Sequence, residues 1–221
     1  MQQFDTPNPI SAVLDIPAGR VQFIAGDRND TTVEVRPVDA SKGRDVKVAE
    51  RTRVEYVDGV LRIEAEAKNQ YLGPSGSIEV TVRLPAGSRV EAKAASADFR
   101  AVGRFGDFAY EGAHGKITLD EAASVRVTTS AGDVRVDRLG GPAEITTAQG
   151  DIRIAEAVRG AVVLRTQAGD VSVVAAAGVS ASLDAGTGYG RIHNALKNTD
   201  GVAELNIHAT TGYGDIDARS I

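Results

Sequence analysis

The chain has no cysteine and no tryptophan, a single methionine, three histidines, and aromatics at only 5% of its 221 positions. Without cysteine, disulfides, thiolate nucleophiles and Cys-based zinc or iron–sulfur sites are all excluded. His114, His193 and His208 lie 79 and 15 residues apart, with no i,i+4 partner and no Glu companion of a metalloenzyme type. No metal site and no cofactor are expected. There is no nucleophile elbow, phosphate loop or Rossmann fingerprint; "GDRND" follows a strand-like run but lacks a Gly-Lys-Ser/Thr ending. Acids and bases alternate instead of converging as in polysaccharide-cleaving β-helices, so no catalytic residue is expected and the reading is non-enzymatic.

Large charge of one sign is also missing. The chain carries 30 acidic and 25 basic residues, with no basic stripe, which makes nucleic acid and anionic membrane poor partners. No window reaches the ~20 apolar residues of a membrane helix, and the first thirty residues hold neither a basic n-region nor an apolar h-region. The expectation is a cytoplasmic protein without membrane insertion.

What is abundant is a repeated phrase. "TSAGDVRV", "TAQGDIRI" and "TQAGDVSV" follow one another, and the turn position recurs at Ala97, Gly115, Gly132, Gly150, Gly169, Gly190 and Gly214, in steps of 18, 17, 18, 19, 21 and 24. A period near twenty marks a solenoid whose units bury their apolar faces on one another. Aliphatic residues alternate on both sides of each turn: Val125, Val127, Val134 and Val136, then Ile145, Ile152 and Ile154, then Val162, Leu164, Val171 and Val173. That is a strand period.

The predicted fold is all-β: a β-solenoid of parallel β-helix or β-roll type with ~18-residue coils over residues 91–221. An antiparallel β segment over residues 1–90 would precede and cap it, the two forming one continuous structural unit. An up-and-down antiparallel arrangement, with the Gly-Asp phrases as hairpin loops, is the alternative. Within 1–90 the strand-like runs are "SAVLDI", "RVQFIA", "TTVEVRP", "TRVEYVDGVLRIEAEA" with a hairpin at Asp58-Gly59, and "SIEVTVRL". A short helix is expected at "ASKGRDVKVAER".

"LDIPAGRVQFIAGDRNDTTVEVRP", "SIEVTVRLPAGSRVEAKAASADF", "TTAQGDIRI" and "TQAGDVSV" together resemble the bacterial, notably actinobacterial, β-strand-repeat family of unknown function labelled "putative adhesin". The resemblance spans essentially the whole chain. It implies a β-helix-like fold and brings no catalytic residues.

Candidate surfaces follow from the repeat. Stacked coils place Asp133, Asp151, Asp170 and Asp215 at equivalent turns, either capping turn N–H groups, with Arg126, Arg135, Arg153 and Arg165 offsetting their charge, or lining up for a cation. Thr129, Thr147 and Thr166 form a second column, a hydroxyl ladder or, less well matched, an ice-binding row. Tyr189 and Tyr213 occupy equivalent places flanked by glycines, as a stacked pair or a platform for a ligand or partner, with outward-facing His193 and His208 in the same coils. The outward columns are expected to run Arg126, Glu144, Arg165, Ser182, Asn206 and Arg135, Arg153, Ser172, His193, Asp217. The last coil ends at "GDIDARSI", which points to a protein partner or self-association through an exposed C-terminal coil. The functional reading is a protein-interaction or scaffolding module; the alternative is an adhesin-like binder of carbohydrate or cell-envelope material.

Overall fold

Alternation of aliphatic and polar residues becomes β-ladders in the computed structural model, which describes residues 1–65, 76–198 and 201–221. The chain forms two compact units, Met1–Gly115 and Lys116–Ile221.

The first unit comprises β1 (Gln2–Asp5), β2 (Ser11–Gly26), β3 (Asp30–Pro37), α1 (Gly43–Arg51), β4 (Arg53–Val57), β5 (Val60–Glu64), β6 (Ile78–Pro85) and β7 (Arg89–His114). An ordinary antiparallel segment was expected here; the structure corrects this to a mixed arrangement centred on β2. That strand pairs in parallel with β5 through Ser11–Asp15, with β6 through Gly19–Gly26, and with β7 from Ser11 to Ile24. Among the described residues only β1–β3, β3–β6 and β4–β5 are antiparallel. "SAVLDI" and "RVQFIA" thus belong to one strand, joined through "PAG". Gly19 permits this at φ +143°, because a Cβ there would lie 1.7 Å from the Ile78 carbonyl oxygen.

At the β4–β5 hairpin, Asp58 and Gly59 both have positive φ, 50° and 77°, as a tight primed turn requires. The end of the expected run, residues 66 and 67, lies outside the described residues. Helix α1 falls within "ASKGRDVKVAER", where a short helix is expected, and its buried Asp45 accepts the Ser77 N–H at 3.0 Å. Phe23, Phe99, Phe108 and Tyr110 form the core cluster of this unit, with Phe23 and Phe99 stacked at 5.5 Å. Burial, and after it the nearby Asp98 charge, push the Tyr110 hydroxyl up to about 12.

The second unit has a core of small and aliphatic side chains. It holds β8 (Ile117–Ala131), β9 (Val134–Leu139), β10 (Ala143–Gln149), β11 (Ile152–Ala157), β12 (Gly160–Ala168), β13 (Val171–Ala175), β14 (Ala181–Tyr189), β15 (Ile192–Ala195), β16 (Leu205–Tyr213) and β17 (Ile216–Ser220). Among the described residues all its ladders are parallel, which rules out the hairpin alternative. One ladder runs β8–β10–β12–β16–β14 and the other β8–β9–β11–β13–β17–β15.

Chain order and spatial order differ at the end. Coil β16–β17 lies between β12–β13 and β14–β15, so the last coil is interior and residues 181–195 form the edge. The expectation of an exposed C-terminal coil is thereby overturned. Apolar content explains the exchange. Leu205, Ile207 and Ile216 of the inner coil are at most 2% exposed. The outer coil presents the smaller Ala181, then Leu183 and Ile192, at the matching core positions, and Asn194 sits opposite Ala218. A polar side chain in a core column is tolerable only at the edge.

Candidate functional site

The turns of the second unit are built from glycine and aspartate with separate tasks. Gly150, Gly169, Gly214 and Gly190 have φ between 135° and 152°, and a Cβ on any of them would lie 1.9–2.3 Å from the turn carbonyl oxygen of the coil beneath. No other residue fits so close an approach. The aspartate after each glycine accepts a hydrogen bond from the next coil, not from its own turn. Asp151 N–H donates to Asp133 at 3.0 Å, Asp170 N–H to Asp151 at 2.8 Å, Asp215 N–H to Asp170 at 2.7 Å, and Arg191 N–H to Asp215 at 2.8 Å. The column therefore has a direction, and it ends at the edge on Arg191 instead of an aspartate.

Three of the four arginines expected to offset these carboxylates sit elsewhere: Arg126 and Arg165 face Glu144, and Arg135 pairs with Asp137. Asp215 differs, for the Arg191 guanidinium also donates to it at 2.9 Å. The Arg191 backbone N–H, and then its guanidinium, hold the Asp215 carboxyl below the usual range.

The threonine column points inward. Thr129, Thr147, Thr166 and Thr211 are 2–6% exposed; Thr166, Thr211 and Thr187 donate to the Gly150, Gly169 and Gly214 carbonyls at 3.1, 2.9 and 3.0 Å. Buried hydroxyls cannot present an ice-binding face.

One outward column also differs from expectation: Arg126 and Glu144 are followed by Val163, His208 and Asp184, while Arg165 stacks on Thr146. Counting back from each turn glycine would have aligned most of it. The other column runs Arg135, Arg153, Ser172, Asp217, His193.

These columns converge on the edge coil. Tyr189 and Tyr213 are in register, their rings parallel within 4° with centroids 5.1 Å apart. Both remain in solvent, at 71% and 63% exposure. His208 Nδ1 meets Asp184 Oδ2 at 2.9 Å, and His193 Nδ1 meets Asp217 Oδ1 at 2.8 Å. With Arg191–Asp215, these pairs fasten the outer coil to its neighbour on both faces and at the turn. They matter because β15 is exposed along its whole length and brings little apolar burial. Sequence reasoning found the tyrosines and histidines but missed Arg191, although its place where other coils carry aspartate was a usable signal.

A stack of parallel coils with small-residue turns and a one-sided terminal coil defines a β-solenoid-like protein. Over residues 13–220 the chain matches the Toastrack DUF4097 family and belongs to it. A putative adhesin from Bacteroides fragilis shares the fold, with a TM-score of 0.55 at 14% identity over 98% of this chain and 95% of that one. A putative cell adhesion protein from Clostridium sporogenes is similar at a TM-score of 0.40 and 11% identity, over 100% and 98% of the two chains. A putative adhesin from Parabacteroides distasonis gives 0.43 and 12%, over 98% and 95%. No curated protein matches the sequence significantly.

Proposed function

We propose that this chain is a non-enzymatic protein-interaction or scaffolding module whose docking surface is the edge coil β14–β15. The observation that carries the reading is one-sided pairing: among the described residues β14 pairs only with β16 and β15 only with β17, while Tyr189 and Ile192 stand 71% and 45% exposed. A strand edge of this kind is a template for strand addition. The titratable groups around it are engaged in holding the coil: Asp215 with Arg191, Asp184 with His208, Asp217 with His193.

Hydrogen exchange tests the reading. A peptide of this chain's residues 205–213, the natural neighbour of β14, should in excess protect amides of 181–189; unchanged exchange there would refute edge docking. A cytosolic location belongs to the same reading and is tested by fractionating the producing cells.

The stacked tyrosines favour a second reading, in which the open ring face of Tyr189 receives a sugar. A glycan array that does not distinguish the protein from its Tyr189→Ala/Tyr213→Ala variant would dispose of it.

A further inference from the structure

We infer that the edge coil takes an extended acidic segment of another protein in preference to a second copy of this chain, an inference that rests on edge docking as proposed above. Two independent observations lead there. First, the polarity of the turn column changes at its end. Each internal rung offers a carboxylate to the next N–H, but the terminal rung offers Arg191, whose side chain is 89% exposed while donating to Asp215. An arriving strand finds no acceptor at this rung and a cation instead, so it must bring the acceptor itself. A guanidinium retains donors for a second carboxylate when one is already bound.

Second, the edge is stripped of side chains without any internal reason at Gly186. A Cβ there would meet nothing within 4 Å, and its φ is not positive. Glycine inside a strand weakens it, and such a residue marks a place where another backbone comes close. Gly188, two residues on, differs in having an internal reason, since a Cβ there would lie 2.7 Å from the Gly212 oxygen.

The same charges argue against self-pairing. A parallel second copy sets Arg191 over Arg191. An antiparallel one brings Arg191 toward the other end of β14, where Lys197 accepts the Ala181 N–H through its backbone oxygen. The parallel arrangement opposes cation to cation, and in the antiparallel one the Ala181 N–H is already taken by the Lys197 backbone oxygen, so the two strands meet over fewer rungs. The acidic residue of the partner belongs near Arg191 and not at mid-strand, where Asp184 is 81% exposed.

The test is fluorescence polarisation at low salt with three labelled peptides that share an alternating Val-Thr body of ~8 residues, a strand's usual length, and end in Asp-Asp, Asn-Asn or Lys-Lys. Binding should fall in that order by about two- to fivefold per step, as an exposed ion pair allows. Arg191→Glu should invert the order, Arg191→Gln should erase it, and Gly186→Val should weaken all three peptides; melting curves check that each variant is folded. Equal binding of all three peptides, unchanged by Arg191→Glu, would overturn the acidic preference and leave edge docking standing. No binding by any peptide, with no protection of 181–189, would remove both. Concentration-dependent dimers of the unsubstituted protein would replace the acidic partner by a second copy.

Discussion

Ile192 and Ile216 are the same residue in the same column, paired Cα to Cα in neighbouring coils, yet Ile192 is 45% exposed and Ile216 only 1%. Truncating each to alanine therefore tests the exchanged order of the last two coils with the chemistry held constant. Ile216→Ala removes buried methylenes and leaves a cavity closed on both sides by β13 and β15 neighbours, a loss of about 2–5 kcal/mol. Complete burial of an isoleucine is worth about 1.5–3 kcal/mol. Ile192 has only part of that burial and an open side that lets the site collapse, so Ile192→Ala should cost about 1 kcal/mol. For a chain of this size each kcal/mol moves the midpoint by about 2–4 °C, so the shifts should be about 4–20 °C and about 2–4 °C. Urea titration followed by circular dichroism, with an unchanged slope, gives the same comparison isothermally. Coils stacked in chain order would bury Ile192 and expose Ile216. An Ile192→Ala loss equal to or above that of Ile216→Ala would refute the order described here.

Four further outcomes are expected. Gly169→Ala places a Cβ 2.1 Å from the Gly150 oxygen at φ +150° and should destabilise the second unit by at least about 1–3 kcal/mol in a thermal melt. Asp151→Ala removes the acceptor of the Asp170 N–H and should cost about 0.5–1.5 kcal/mol, whereas Asp151→Asn, which keeps an oxygen there, should cost less in the same melt. The Asp215 carboxyl is held down by the Arg191 backbone N–H and guanidinium. Its stabilisation is complete above the unfolded value of about 3.9 and is lost as pH falls through the lower folded value. Exchange at 192–195 should accordingly rise on acidification below that value, and Asp215→Asn should flatten the dependence. Asp39, held at about 2 by the Ser41 hydroxyl, then the Ser41 N–H and Lys42, should make the start of α1 loosen over the window from about 4 down to about 2.

Much of the architecture was legible because it is local. Alternation around Val134, Ile152 and Val171 sets which side of a strand faces inward, and a parallel stack preserves it. Asp58-Gly59 specifies a turn by its own backbone requirement. The repeated Gly-Asp phrase implies stacked turns, because only glycine fits under a neighbouring carbonyl. Tyr189 and Tyr213 were matched by their place before those turns. The central role of β2 was not legible: "SAVLDI" and "RVQFIA" read as two strands until the Ile78 carbonyl demands Gly19 between them. Nor was the inward threonine column, since "TT" carries one outward and one inward hydroxyl, and only the positions of the Gly150 and Gly169 carbonyls tell which is which.

The sequence by itself therefore determined a stack of coils, their inner and outer residues and the glycines at their corners, all consequences of a two-residue strand period and a turn too tight for a Cβ. The tertiary structure alone decided the order of the stack and, with it, the edge. The coils are so alike that backbone pairing accepts either order. The choice fell to a comparison between distant segments: Leu205, Ile207 and Ile216 gain more by being covered on both sides than Leu183 and Ile192 do, and Asn194 and Arg191 lose least by staying at the margin.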